Sequence, residues 1–150
     1  MNLKNNMKGS TGAEREYVKL PDSEFAVMQA VWDEESAGRK DEISAGILME
    51  HHESLAKLKL TTVLTLLTRL IGKGFLSSEK RGRTHYYHSL VCEEDYKQAA
   101  AADFLSVIYR NDSGRLLNAL WSGGSLSSDD IRELKAFLAL AEQEGSDHDD

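Results

Sequence analysis

Along most of this chain apolar positions recur three and four residues apart, the spacing of helices with one buried face. Phe25, Met28, Val31 and Trp32 follow Pro21 and Asp22, residues suited to a helix start, and predict a core helix of about three turns. The polar run at 33–40 reads as a loop. A short second helix is expected to open at Asp41, with Ile43, Ile47 and Leu48 inward, and ESLAKLKL, residues 53–60, reads as the loop after it. The clearest periodicity lies in LTTVLTLLTRLIGKGFL, residues 60–76. At about 100° per residue, Leu60, Val63, Leu64, Leu67, Leu70 and Ile71 share one side of a helix. Leu66 falls at the margin, and Thr61, Thr65, Thr68, Arg69 and Gly72 lie opposite. Lys73 and Gly74 then supply a cation and a permissive backbone at the helix end.

After Gly74 the period changes from that of a helix to that of strands. FLSSEKRGRTHYYHSL holds two runs of strand-forming residues around a turn at 80–83, where Gly82 can take the positive φ a tight hairpin needs. Helical spacing returns at Glu93. EEDYKQAAAADFLSVIY carries acids in its first turn and Phe104, Leu105, Ile108 and Tyr109 toward its end. A break at 111–114 precedes a short helix with Leu116, Leu117, Leu120 and Trp121. A last helix, capped by Ser127 or Ser128, carries Ile131, Leu134, Phe137, Leu138 and Ala141. Three thin amphipathic helices cannot close a core of their own, so a second copy is expected to cover them, the competing reading being that they fold back onto the N-terminal domain in a monomer. The polar residues 1–18 and the acidic residues 142–150 read as disordered.

The net charge of −7 has the wrong sign for a nucleic-acid binder, but its distribution reverses that conclusion. Residues 54–90 hold Lys57, Lys59, Arg69, Lys73, Lys80, Arg81 and Arg83 against Glu79 alone, a net +6, while 1–53 and 91–150 carry −5 and −8. A basic island between acidic flanks lets one face hold phosphate while the remainder repels it. The threonine-rich face of residues 60–72 has no carboxylate, and short hydroxyls with one guanidinium suit a DNA groove. Helix, helix, turn, helix and hairpin together predict a winged helix-turn-helix domain, mainly α with a small β element, in which the last helix reads and the hairpin tip grips phosphate. Candidate DNA-binding residues are Lys59, Thr61, Thr65, Thr68, Arg69, Lys73, Lys80, Arg81, Arg83 and Tyr86. A protein-interaction module on the same scaffold, its basic strip meeting an acidic partner, is the competing reading.

Enzyme signatures are missing: there is no GxSxG elbow, Walker A loop or HExxH, and position 56 is Ala where HHES would need a second metal ligand. His85, His88 and Cys92, with His51 or His52, are the best metal candidates. Strand geometry puts His85 and His88 on opposite faces, so no metal or other cofactor is expected. The single cysteine excludes a disulfide framework, and no apolar run reaches the roughly 18 residues of a membrane span, which points to a reducing cytoplasm.

LPDSEFAVMQAVW at 20–32, TTVLTLLTRLIGKGFL at 61–76, KRGRTHYYHS at 80–89, and FLSVIY followed by LLNALW resemble the penicillinase-repressor family, of the BlaI/MecI type with copper-responsive relatives. The resemblance covers roughly residues 20–140 and implies a winged-helix homodimer that represses a resistance operon from a pseudo-palindromic DNA operator. By position it implies that Thr61, Thr62, Thr65 and Arg69 lie at the major groove or its phosphates and that Arg81 and Arg83 belong to the wing. Leu64 stands where many relatives have Lys or Arg, implying a different operator or weaker binding. The implied organisation is an arm at 1–18, a winged-helix domain at 19–90, a dimerisation module at 91–141 and a tail at 142–150. In the antibiotic-responsive branch a membrane sensor leads indirectly to cleavage after an Asn in that module. The similar bond here is Asn118–Ala119, with Ala in place of the usual Phe. The copper branch has a cysteine-rich C-terminus, which this acidic ending does not resemble.

Overall fold

The computed structural model describes residues 2–5 and 15–147 and divides into two compact units at Asp103/Phe104. In the first unit, strands β1 (Asn2–Asn5) and β2 (Arg15–Val18) pair antiparallel, and helices α1 (Asp22–Ser36), α2 (Ala45–His51), α3 (Glu53–Ala56) and α4 (Leu60–Gly72) follow. Strands β3 (Leu76–Arg81) and β4 (Thr84–Ser89) then form a hairpin, and α5 (Glu93–Tyr109) leads out of the unit. This is a winged helix with a helical C-terminal module.

The core gathers one face from each element: Val27, Met28, Val31 and Trp32 of α1, Leu48 of α2, Leu55 of α3, Val63, Leu66, Leu67 and Leu70 of α4, and Phe75, Leu76 and Tyr87 of the hairpin. Tyr96 of α5 lies within 6.4 Å, centroid to centroid, of the rings of Tyr17, Phe25, Trp32 and Phe75. Its hydroxyl accepts the Leu20 N–H at 2.9 Å, and the Trp32 indole donates to the Val91 carbonyl at 2.9 Å. These contacts join α5 to the winged helix. The domain boundary expected at 90/91 therefore moves to 103/104, because Val91, Tyr96 and Ala99 are core residues.

Other expectations shift as well. α1 runs through Ser36 rather than ending before 33, and α2 starts at Ala45 rather than Asp41, because the Ser44 hydroxyl accepts the Ile47 N–H at 3.2 Å and sets the first turn. α3 occupies part of the expected loop, held by buried Leu55. The arm expected to be disordered pairs as β1 and β2 with Tyr17 buried; residue 1 and residues 6–14 lie outside the described residues.

The second unit contains the end of α5, α6 (Ser113–Ser122) and α7 (Ser128–Asp147). Asp112 caps α6 by accepting the Arg115 N–H at 3.0 Å. At α7, Ser127 and Asp130 bond reciprocally, Ser127 Oγ to the Asp130 N–H at 3.1 Å and Asp130 Oδ2 to the Ser127 N–H at 2.8 Å. The latter bond holds the Asp130 carboxyl below its usual range. α7 continues past 141 through most of the expected acidic tail, while 148–150 lie outside the described residues. No described residue of this unit is buried, and Phe104, Val107, Ile108, Leu117, Trp121, Phe137, Leu138 and Leu140 are exposed.

Candidate nucleic-acid interface

α4 turns inward the residues that touch α1, α2 and β3. Val63, Leu66, Leu67 and Leu70 are buried and span about 100° of the helix. Leu66 belongs to the core rather than its margin, whereas Leu60, Leu64 and Ile71, expected inside, are exposed. The period alone allowed either arc. What decides is that α4 is packed from both sides, by α1 and by the hairpin, so the buried arc centres between Val63 and Leu70.

The outer arc carries Thr61, Thr62, Leu64, Thr65, Thr68 and Arg69, all exposed. Thr65 Oγ1 donates to the Thr61 carbonyl and Thr68 Oγ1 to the Leu64 carbonyl, each at 2.9 Å, so neither hydroxyl proton is available outward. Lys59 precedes the helix without a side-chain capping bond, which leaves first-turn N–H groups open to an anion. Gly74, at φ +80°, turns the chain from α4 into β3.

The hairpin turn is made by Gly82, at φ +66°, and Arg83. Arg81 lies with its guanidinium carbon 3.7 Å from the Tyr86 ring centroid and donates to the Asp41 carbonyl. These two contacts tie the turn end of the wing to the segment before α2 while the side chain stays exposed. At the foot of β4, the Tyr87 N–H donates to the Ile43 carbonyl at 2.8 Å, and burial pushes the Tyr87 phenol above its ordinary pKa. Among the described residues, Lys57, Lys59, Arg69, Lys80 and Arg83 form no ion pair. Lys73 differs: its ammonium sits 2.5 Å from Oε1 of buried Glu24, so it ties α4 to α1 and leaves the set of open cations.

A second polar cluster went unread in the sequence. Glu34 is fully buried, with Arg39 Nε at 2.5 Å and both His51 Nδ1 and His52 Nε2 at 2.9 Å. The Arg39 guanidinium, with help from the two imidazoles, holds the Glu34 carboxyl down at about 2 despite burial. A carboxylate only accepts, so each of those ring nitrogens carries a proton. His51 and His52, considered above as metal ligands, thus serve to lock α1 to α2. Among the described residues no group of three or more His, Cys, Asp or Glu is placed to hold a metal, and no helix is long and apolar enough to cross a membrane.

A profile of the Penicillinase repressor family matches residues 20–140. The methicillin resistance regulatory protein MecI of Staphylococcus aureus (strain N315) is 29% identical over 120 residues, covering 80% of this chain and 93% of that protein. The penicillinase repressor of Bacillus licheniformis is 27% identical over 120 residues, covering 80% and 89%. That of Staphylococcus aureus is 26% identical over 121 residues, covering 81% and 91%. The match spans α4, the hairpin and most of the C-terminal helices, and the chain belongs to the penicillinase repressor family.

Proposed function

We propose that this chain is a homodimeric, sequence-specific repressor that binds a pseudo-palindromic operator, each subunit inserting α4 in the major groove and laying its wing along the backbone. The observation that carries this reading is the carboxylate-free outer face of α4, continued by the open cations of the wing in an otherwise acidic chain. Arg69 meets base or phosphate, Thr61 and Thr62 offer hydroxyls, and Lys59, Lys80, Arg81 and Arg83 neutralise phosphates. The exposed apolar faces of α5, α6 and α7 pair with those of a second copy, because unpaired they would stay in water. Dimerisation matters because one reading helix touches too few base pairs to discriminate a site, and two roughly double the specific free energy.

By analogy with the named relatives, the regulated genes belong to a resistance operon; the family resemblance of the sequence, with Ala119 in place of Phe, adds cleavage at Asn118–Ala119 downstream of a membrane sensor as the inducing step. The test is a gel-shift titration on sites selected from genomic DNA. Arg69→Ala and Arg81→Ala should each weaken operator binding about tenfold, and each lost phosphate contact should lower the salt slope by about one. Unchanged affinity and slope in both variants would remove this surface from the interface. Failure to bind any duplex at low salt would favour an interaction module instead.

A further inference from the structure

Resting on the reading above, we infer that Leu64 is a specificity-determining residue that recognises the C5-methyl group of thymine in the operator's major groove. The outer arc of α4 is short of polar readers. Its sequence, LTTVLTLLTRLIG, has no Asn or Gln to bond adenine bidentately and no Asp or Glu to accept from cytosine. Two of its four threonines have spent their hydroxyl protons on carbonyls one turn back, at 2.9 Å each. Those hydroxyls cannot donate to guanine or thymine oxygens, and the methyl groups of Thr65 and Thr68 remain.

Beside them stands Leu64, 39% exposed, with Leu60 at 51% and Ile71 at 37% along the same edge. On the helical wheel Leu64 lies about 40° from Thr68 and about 60° from Thr61, at the border of the outer arc. Leu60 and Ile71 lie closer to the core edge. Hydrocarbon therefore borders the donor-capable Thr61, and Arg69 lies about 140° from Leu64 across the outer arc.

An exposed apolar edge could suit a protein partner, but its surroundings are cationic. Lys57 and Lys59 precede the helix, Arg69 shares it, and the basic wing follows, within a segment of net +6. A polyanion that also presents apolar groups fits that combination, and the only apolar group on a base edge in the major groove is the thymine methyl. Leu64, with the methyls of Thr65 and Thr68, would then favour thymine over cytosine at the base pairs they meet.

The test uses the full-length protein and a duplex selected by it, with each thymine of the half-site replaced in turn by uracil, which removes only the methyl. Replacement at one or two positions should weaken binding about fourfold per methyl, or roughly 15-fold when both half-sites are changed. Leu64→Ala should abolish that sensitivity at the same positions, with an unaltered thermal transition showing that the fold is intact. At those positions 5-methylcytosine should be bound better than cytosine. Uracil tolerated throughout, or a uracil penalty that persists in Leu64→Ala, would overturn the inference while leaving operator binding in place. A light-scattering mass that falls in Leu64→Ala, with no uracil effect, would assign the edge to a protein contact and overturn it too. Failure to select any duplex would overturn both this inference and the repressor reading.

Discussion

Glu34 illustrates how one buried charge sets the geometry of a site without touching it. It lies on α1, and its partners Arg39, His51 and His52 come from the segment after α1 and from the end of α2, so it fixes the helices on which α4 is built. Its carboxyl is held at about 2 against an ordinary 4.5. A depressed carboxylate pKa contributes stability that is complete above the unfolded value and is lost as pH falls through the folded one. Wild-type melting temperature should therefore drop between pH 4.5 and 2. In Glu34→Gln that part of the drop should be absent, although the variant is less stable at neutral pH. Parallel slopes for the two proteins would show that the pair contributes nothing. Truncation by Glu34→Ala should cost about 2–3 kcal/mol at pH 7, since three donors lose a buried acceptor but each can turn to water. Nothing in a one-dimensional pattern marks this residue. Glu34 sits in a polar run that reads as a loop, and its partners are 5, 17 and 18 residues away.

α4 and the hairpin raise a different question: which of their cations bind and which build. Lys73 and Arg69 lie one turn apart, but Lys73 neutralises Glu24, whose side chain is 4% exposed, whereas Arg69 has no ion-pair partner among the described residues. Lys73→Ala should thus lower unfolding stability by about 1–3 kcal/mol, read from urea titration, by stranding a buried carboxylate. It should leave the salt slope of DNA binding unchanged. Arg69→Ala should do the reverse, and a Lys73 variant with altered slope and normal stability would exchange their assignments. The sequence was enough to find this helix, its threonine face and the wing turn at Gly82, because each follows from periodicity or from a backbone requirement at one position. The rotation of the helix was not legible. Leu64 and Leu66 are both leucines near the edges of the apolar arc, and only the elements packed on either side put Leu66 in the core and Leu64 in water. The ion pair of Lys73 was illegible for the same reason, since its counter-ion is 49 residues away.

For the molecule as a whole, the proposed assembly and cleavage both turn on a second unit in which no described residue is buried. α5 looked like one dimerisation helix in sequence because its apolar spacing continues unbroken, yet Tyr96 and Ala99 are core residues of the first unit while Phe104 and Ile108 are exposed. The helices beyond Asp103 thus depend on local bonds and, in the proposed dimer, on a second copy. Asn118–Ala119 lies inside α6, and a protease needs its substrate extended, so cleavage there requires α6 to open first. The Asp112 cap holds one end of α6, and the bonds from Gly123, Gly124 and Ser125 to the Ala119, Trp121 and Leu120 carbonyls close the other. Removing an N-cap costs about 1 kcal/mol, so Asp112→Ala should raise the open population about fivefold. Cleavage within α6 by a low level of thermolysin, mapped by mass spectrometry, should accelerate by the same factor when opening and closing are fast. Wild-type cleavage should also slow as protein concentration rises through the range of the proposed dimerisation, because that pairing would cover the exposed Leu117 and Trp121. A rate indifferent to both the cap and the concentration would mean that α6 is cut only after the whole unit unfolds, and regulated cleavage at Asn118 would then need an agent that unfolds it.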